Sequence, residues 1–515
     1  MILGIELGST RIKSVIIDNA GSVIATGAYS WENRLEKGFW TYSVEEIWHG
    51  LQESYADLKR KYESRFSKKL TQFDAIGISA MMHGYLAFDE NDELLVPFRT
   101  WRNTNTGEAA EILSNELNFN MPLRWSASHL LQAVINREEH IHKICYITTL
   151  AGYVHYKLTG EKVLGIGDAS GMFPIKNGEY DPDRVVKFES VLRNYGFEKS
   201  AKSLLPQILV AGEKAGSLTE KGARLLDVSG DLVSGIQLCP PEGDAGTGMV
   251  ATNSIRCGTG NVSAGTSAFL MAVLDKELDR CYKEIDVVTT PHGAPVAMVH
   301  VNNFTSEINA WADLFEEVIA LVGGNIDHGK LFDALYTKAQ EGDASCGGLM
   351  GYNFISGEPI AQVDAGAPMI VRMTDEKLTL ANFMKMQIYS ALGSLAIGCE
   401  ILLNENVQIS SVCGHGGFFK APLVGQSAMS AAVGAPVTVM QNAGEGGAWG
   451  IAVLALFTYL GEQNLESFLD GIFADTEKTT VSASNSEVNS FKLFMKKYKQ
   501  GLAVERLAVE NLKIE

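Results

Sequence analysis

The chain has 515 residues, 46% hydrophobic and 20% charged, and its 43 Lys and Arg against 61 Asp and Glu give a formal net charge of −18. That length exceeds what one hydrophobic core usually serves, so two domains are expected. The acidic balance argues against nucleic acid or an anionic membrane as a partner, since both attract Lys and Arg; an anionic nucleotide can still be met by local N–H groups, hydroxyls, a metal ion or a few placed cations. Seven cysteines without a Cys-x-x-Cys pair fit a reducing compartment and no structural zinc. The amino terminus, Met-Ile-Leu-Gly-Ile-Glu, has none of the parts of a signal peptide. The apolar stretches 390–403 and 448–460 are too short to span a bilayer, so a cytoplasmic protein is expected.

In chain order, residues 2–5 are an apolar run, Gly8-Ser9-Thr10 makes a turn, and 12–17 and 23–29 follow at hairpin spacing, which predicts an antiparallel meander. Ser43 is placed as the N-cap of a helix through Ile47, Leu51, Tyr55 and Leu58, with Glu45 and Glu46 in its first turn. Residues 73–79 read as a buried strand that opens into Met82-His83-Gly84. Further on comes Trp101-Arg102-Asn103-Thr104-Asn105. Loops at the carboxyl ends of strands are where α/β proteins bind small ligands, and His, Trp, Arg and Asn suit a polyhydroxylated one. Residues 109–229 read as mostly helical, broken by the loop 165–171, which could face the ligand or simply connect helices, the second being preferred. No Gly-x-Gly-x-x-Gly follows the first strand, so the pattern is α/β without being Rossmann.

Near the middle, Pro-Glu-Gly-Asp-Ala-Gly-Thr-Gly places Asp244 in a loop among glycines. A carboxylate on a close-approach loop can accept a proton from an alcohol, and it can equally be an ordinary turn residue. After it the opening pattern partly returns as a strand through Val262, the turn Gly265-Thr266-Ser267 and the strand 268–273. Turns of this kind present N–H groups and hydroxyls to phosphate. Two related domains are expected, each giving one such turn to a shared cleft. A helix over 305–322, a long helix over 378–403, and a strand opening into Gly414-His415-Gly416-Gly417 follow. Glu445 to Gly450 starts a small-residue helix, and the chain beyond Gly461 is a charged, mostly helical tail.

Taken together, Gly8-Ser9-Thr10 with Lys13, Met82-His83-Gly84, Trp101-Arg102-Asn103, Gly243-Asp244, the Gly265-Thr266-Ser267 turn, 352–358, 414–417 and 445–450 resemble the FGGY family of carbohydrate kinases, and within it the xylulokinase-like members. The resemblance implies two actin-like or hexokinase-like (ribonuclease H-like) α/β domains around a central cleft. It implies a sugar-binding domain over 1–250, an ATP-binding domain over 251–460 and a helical tail over 461–515. It makes Asp244 the general base that takes a proton from a ketopentose hydroxyl. Met82, His83 and Trp101 would line the sugar pocket; Gly8, Ser9, Thr10, Lys13, Gly265, Thr266, Ser306, Gly416 and Gly417 would meet ATP, and Glu6 would hold Mg²⁺ through water. Sugar and ATP are the expected partners, with a homodimer left open. The chain departs from the family at Glu6, where Asp is usual, at Ala245, where xylulokinases commonly carry Asn, at 302–306, and at 101–105. These departures leave open a kinase for a polyol or sugar acid, with Arg102 or His83 holding a carboxylate, and a non-catalytic ATP-binding protein.

Overall fold

The computed structural model describes residues 1–421, 423–440 and 446–512. Its first sheet contains β1 (Ile2–Leu7), β2 (Arg11–Ile17), β3 (Val23–Ser30), β4 (Ala75–Ala80) and β5 (Gln237–Leu238) in the spatial order β5-β4-β1-β2-β3, and the short β6 (Glu242–Gly243) also pairs with β4. β1, β2 and β3 run antiparallel as the sequence predicts, while β4 and β5 are added in parallel on the other side of β1. The second sheet repeats the scheme. β7 (Thr259–Ala264), β8 (Ala268–Val273) and β10 (Pro295–Val301) form the meander, with β9 (Ile285–Thr289) outside it; β11 (Ser411–His415) and β12 (Val437–Met440) continue in parallel from β7.

Both sheets need cover, because strands such as β4 are buried along their whole length. On the first sheet α1 (Val44–Phe66) supplies it, starting where expected: Ser43 Oγ accepts the N–H of Glu46 at 3.1 Å. The helices α2 (Asp244–Ala251) and α5 (Gly446–Leu460) pack on each other and against this sheet. α5 is apolar on nearly every side, and a Cβ at Gly4 would lie 2.2 Å from Ala448 O, so the strand and the helix touch through their backbones. Thus a helix that follows the second sheet in sequence is built into the first lobe. The start of the predicted small-residue helix, Glu445, lies outside the described residues.

The second core surrounds α3 (Ser306–Leu321) and α4 (Leu380–Asn404). Taken whole, α4 is long and apolar enough to cross a membrane, unlike the shorter apolar run read from sequence, but 78% of its most apolar window is buried inside the protein. The segment beyond Gly461 contains helices, including α6 (Asn485–Asn511), and also the strand β13 (Lys478–Val481), which closes the edge of the second sheet. Phe491, Phe494, Tyr498 and Leu502 of α6 enter the second core, so this segment is part of the lobe. The region 109–229 is helical at Gly107–Leu117, Ser126–Ile135, Leu150–Thr159 and Pro182–Asn194, but it also holds strands of three residues at Tyr146–Thr148, Val163–Gly165 and Gln207–Leu209. Strands that short carry no readable alternation.

Candidate active site

Asp244 is the first residue of α2 rather than a loop residue, and it follows directly on the edge strand β6. Its Oδ1 accepts the backbone N–H of Met82 at 3.0 Å and of Ala245 at 3.0 Å, so the carboxylate is fixed to the loop leaving β4. No hydrogen bond to Oδ2 is made among the described residues. The residue is open to solvent yet walled by protein, and this enclosure raises its pKa, offset by the N–H groups of Met82 and Ala245. A carboxylate held by one oxygen and free at the other is built to receive a proton.

Around it gather further acids. Glu6 on β1 is pushed up to about 7, first by burial and then by the charge of Asp244, against the pull of Lys13 and the Ala448 N–H. Lys13 lies directly across the β1–β2 pair from Glu6. Beneath Asp244, Glu242 is buried and raised to about 7 by that burial, and it accepts N–H groups of Gly167 (3.1 Å) and Asp168 (2.9 Å). Asp168 is buried as well and held far above the usual carboxylate range by burial; Thr149 Oγ1 donates to its Oδ2 at 2.6 Å. Residues 165–171, for which the sequence favours a plain connection, therefore form the support under Asp244. A Cβ at Gly171 would lie 2.7 Å from His83 Nδ1 and 2.8 Å from Met82 Cε. Sequence reasoning passed over Asp168 because a lone Asp in a glycine-rich loop looks like any turn residue; Glu242 stood in view two residues before Asp244.

The two predicted turns are built on one plan. At the first, Trp31 Nε1 donates to Gly8 O (2.7 Å), Trp31 N to Thr10 O (3.2 Å), and Tyr42 Oη to Ser9 O. At the second, Thr305 Oγ1 donates to Gly265 O (2.7 Å) and Phe304 N to Thr266 O (2.9 Å). In both, the carbonyls are occupied from behind and the hydroxyl residues Ser9, Thr10 and Thr266 stay at the surface. Gly416 has φ of +106° and a Cβ there would lie 2.3 Å from Ala264 O, so its backbone lies against the second turn; Gly417 beside it has open space where a side chain would be. Ser306 opens α3 immediately after Thr305. The structure thus gathers Glu6, Gly8, Ser9, Thr10, Lys13, Met82, His83 and Asp244 at one end of the first sheet. Gly265, Thr266, Ser306, Gly416 and Gly417 gather at one end of the second.

His83 is buried with φ of +71°, a strained setting for a residue with a side chain. Its Nδ1 lies 3.1 Å from Gly171 O, which can only accept, so Nδ1 carries the hydrogen. Burial, and secondly Arg124, hold its pKa well below the usual value, so the ring is neutral and Nε2 is an acceptor. Trp101 is 40% exposed at a turn; no hydrogen bond ties it to Asp244. Next to it Arg102 lies 3.7 Å above the ring of Trp40. Between the lobes, Arg124 pairs with Asp286, Asn120 Nδ2 donates to Asp286 Oδ1 at 2.8 Å, and Thr289 N donates to Ser170 Oγ at 2.9 Å. A cavity of about 260 Å³ opens along this seam, lined by Phe119, Ser170, Val287 and Thr289 among others, and none of the clustered carboxylates faces it.

Two lobes with the same strand order, each ending in a hydroxyl-bearing turn, with an anchored carboxylate on the helix after the first sheet, define a two-domain phosphotransferase of the actin-like ATPase class. The chain belongs to the FGGY family of carbohydrate kinases: residues 1–233 match its N-terminal domain and 260–459 its C-terminal domain. It is 24% identical over 515 residues to a xylulose kinase of Haemophilus influenzae, covering 97% of this chain and 98% of that one. Among solved structures it resembles, in fold, a gluconate kinase (TM-score 0.81, 18% identity, 99% of both chains) and a ligand-bound xylulose kinase (TM-score 0.80, 18% identity, 99% of this chain and 98% of that one), both from Lactobacillus acidophilus.

Proposed function

We propose that this carbohydrate kinase transfers the γ-phosphate of ATP to a hydroxyl of a neutral ketopentose such as xylulose, with Asp244 as the general base. The observation that carries this reading is the anchoring of Asp244 Oδ1 by two backbone N–H groups, with Oδ2 left for a substrate hydroxyl. As the sugar oxygen attacks phosphorus, its proton passes to Oδ2. Thr10, Lys13 and Thr266 would hold the phosphate in line, where positioning and charge neutralisation do most of the work. Gly416 and Gly417 would lie beside the nucleoside.

Glu6, across the β1–β2 pair from Lys13, offers carboxylate oxygens for a hard cation, and this donor fits Mg²⁺ held through water. When bound it neutralises phosphate charge. Glu6 stands where the family usually has Asp, and its extra methylene would change how the carboxylate meets the cation.

Preference for a neutral sugar is supported by the lack, among the described residues, of a free cation beside Asp244: His83 is a neutral acceptor, Arg124 is engaged by Asp286, and the carboxylate of Asp244 itself would repel a sugar acid. A sugar acid would depend on Arg102, the cation stacked on Trp40, and the likeness in fold to a gluconate kinase keeps that second reading in the test. The test is sugar-dependent ADP release by the purified protein with Mg-ATP, against ketoses, aldoses, polyols and sugar acids. Stimulation by a ketopentose supports the reading; stimulation only by sugar acids, lost in Arg102→Ala, replaces it with the second. An enzyme of this kind would work in the cytoplasm, where ATP is supplied.

A further inference from the structure

The turn that carries Thr266 is fastened from behind by a residue far along the chain. Glu358 is fully inaccessible, on the segment between the strand Met350–Tyr352 and the short turn Pro359–Ala361. Its Oε2 accepts the backbone N–H of Asn302 at 3.0 Å, that of Asn303 at 3.1 Å, and Asn303 Nδ2 at 3.3 Å. Asn303 is itself clamped, since its Oδ1 accepts from Ile355 N (2.9 Å), Ser356 N (3.0 Å) and Ser356 Oγ (3.1 Å). The next residues, Phe304 and Thr305, make the bonds to Thr266 O and Gly265 O already described. One buried carboxylate thus fixes the backbone at Asn302 and Asn303, and the two residues that follow hydrogen-bond the Gly265-Thr266 turn and lead into α3.

Burying a carboxylate costs free energy unless its oxygens are satisfied, and here only one is: Oε1 is buried without a partner. Burial pushes the group up to about 7. From the outer side Arg506 of α6 donates to Ala361 O (2.8 Å) and Gln362 O (3.0 Å), gripping the turn beside Glu358. The terminal helix lies beyond the residues that match the family, and it backs this arrangement.

We propose that Glu358 is a positioning residue for the nucleotide, acting through Asn302, Asn303 and Thr305 to hold the Gly265-Thr266 turn and the first turn of α3 in their phosphate-binding geometry. This rests on the reading that Thr266 meets ATP. The experiment is calorimetric titration of Mg-ADP into the full-length protein, which needs no knowledge of the sugar. Glu358→Ala removes the acceptor for three donors and should weaken Mg-ADP binding about tenfold; Glu358→Gln keeps an acceptor oxygen and should stay within about threefold of wild type. An Ala variant that binds like wild type overturns the proposal and leaves the ATP reading standing, whereas a wild-type protein that binds no Mg-ADP overturns both. Where Glu358→Ala does not fold, hydrogen exchange of the wild type decides. Mg-ADP should slow exchange in peptides covering both 302–306 and 355–363; slowing confined to 302–306 contradicts the coupling.

Discussion

Gly450 is where α5 crosses α2, and enlarging it tests whether the base is held in place by that contact. A Cβ at this position would lie 2.1 Å from the carbonyl oxygen of Thr247, whereas Cβ atoms essentially never come within 3.0 Å of such an atom, so α5 and α2 must separate by about 0.9 Å. Ala in a helix interior is ordinarily favoured over Gly by about 1 kcal/mol. Overpacking in a closed contact costs about 1–3 kcal/mol, and because the obstacle is backbone the cost prevails. Thr247 and Asp244 share one helix, so the shift carries the base with it. A misplacement of this size at the reacting centre lowers turnover about a hundredfold. Gly450→Ala should therefore melt only a few degrees lower while losing about two orders of magnitude in sugar-dependent ADP release. Gly471→Ala, also in a helix but with nothing within 4 Å of its Cβ position, serves as the control and should leave turnover unchanged without lowering the melting temperature. A Gly450→Ala protein with wild-type turnover would refute the idea that this crossing sets the position of Asp244.

Glu505 is fully buried, neither oxygen makes a well-formed hydrogen bond, and burial, partly offset by the nearby Ala367 N–H, pushes its pKa from 4.5 up to about 7. The folded protein thus holds this proton more tightly than the unfolded chain. Its stabilising contribution is full below 4.5 and is lost as pH rises through about 7. Glu505→Gln should be more stable than wild type by about 2 kcal/mol at pH 8 and show no such gain at pH 5, read from melting curves; an equal gain at both would contradict the burial argument. Glu6 is raised to about 7 by burial and the charge of Asp244, and Asp244 is itself raised by burial; the proposed roles of both require the ionised form. The kcat/KM for Mg-ATP should fall as pH drops through about 7; an acid limb with its midpoint below about 5 would contradict this.

What could be read from sequence was what depends on local pattern. The meander around Gly8-Ser9-Thr10, its return around Gly265-Thr266-Ser267 and the Ser43 cap follow from turn residues, alternation and capping within short windows, whereas the shared site of Asp244 and Met82 is implied by the family resemblance. Hidden from it was what depends on contacts far apart in the chain. Asp168 gains its place only because Glu242, 74 residues on, accepts its N–H, and Glu358 matters only through Asn302 and Asn303, 55 residues or more away. Trp31 and Tyr42, which hold the first turn, do so by hydrogen bonds across 23 and 33 residues that no local pattern announces. The strand β13 was missed because Lys478–Val481 has too few apolar residues to signal burial, lying as it does on an edge.

The most direct test of the account is Asp244→Asn. The amide oxygen can still accept from Met82 and Ala245, so the local fold is kept while the proton acceptor is lost. The account predicts turnover about a thousandfold lower with Mg-ADP affinity unchanged. An Asp244→Asn protein whose turnover stays within about tenfold of wild type would contradict the assignment of Asp244 as the base.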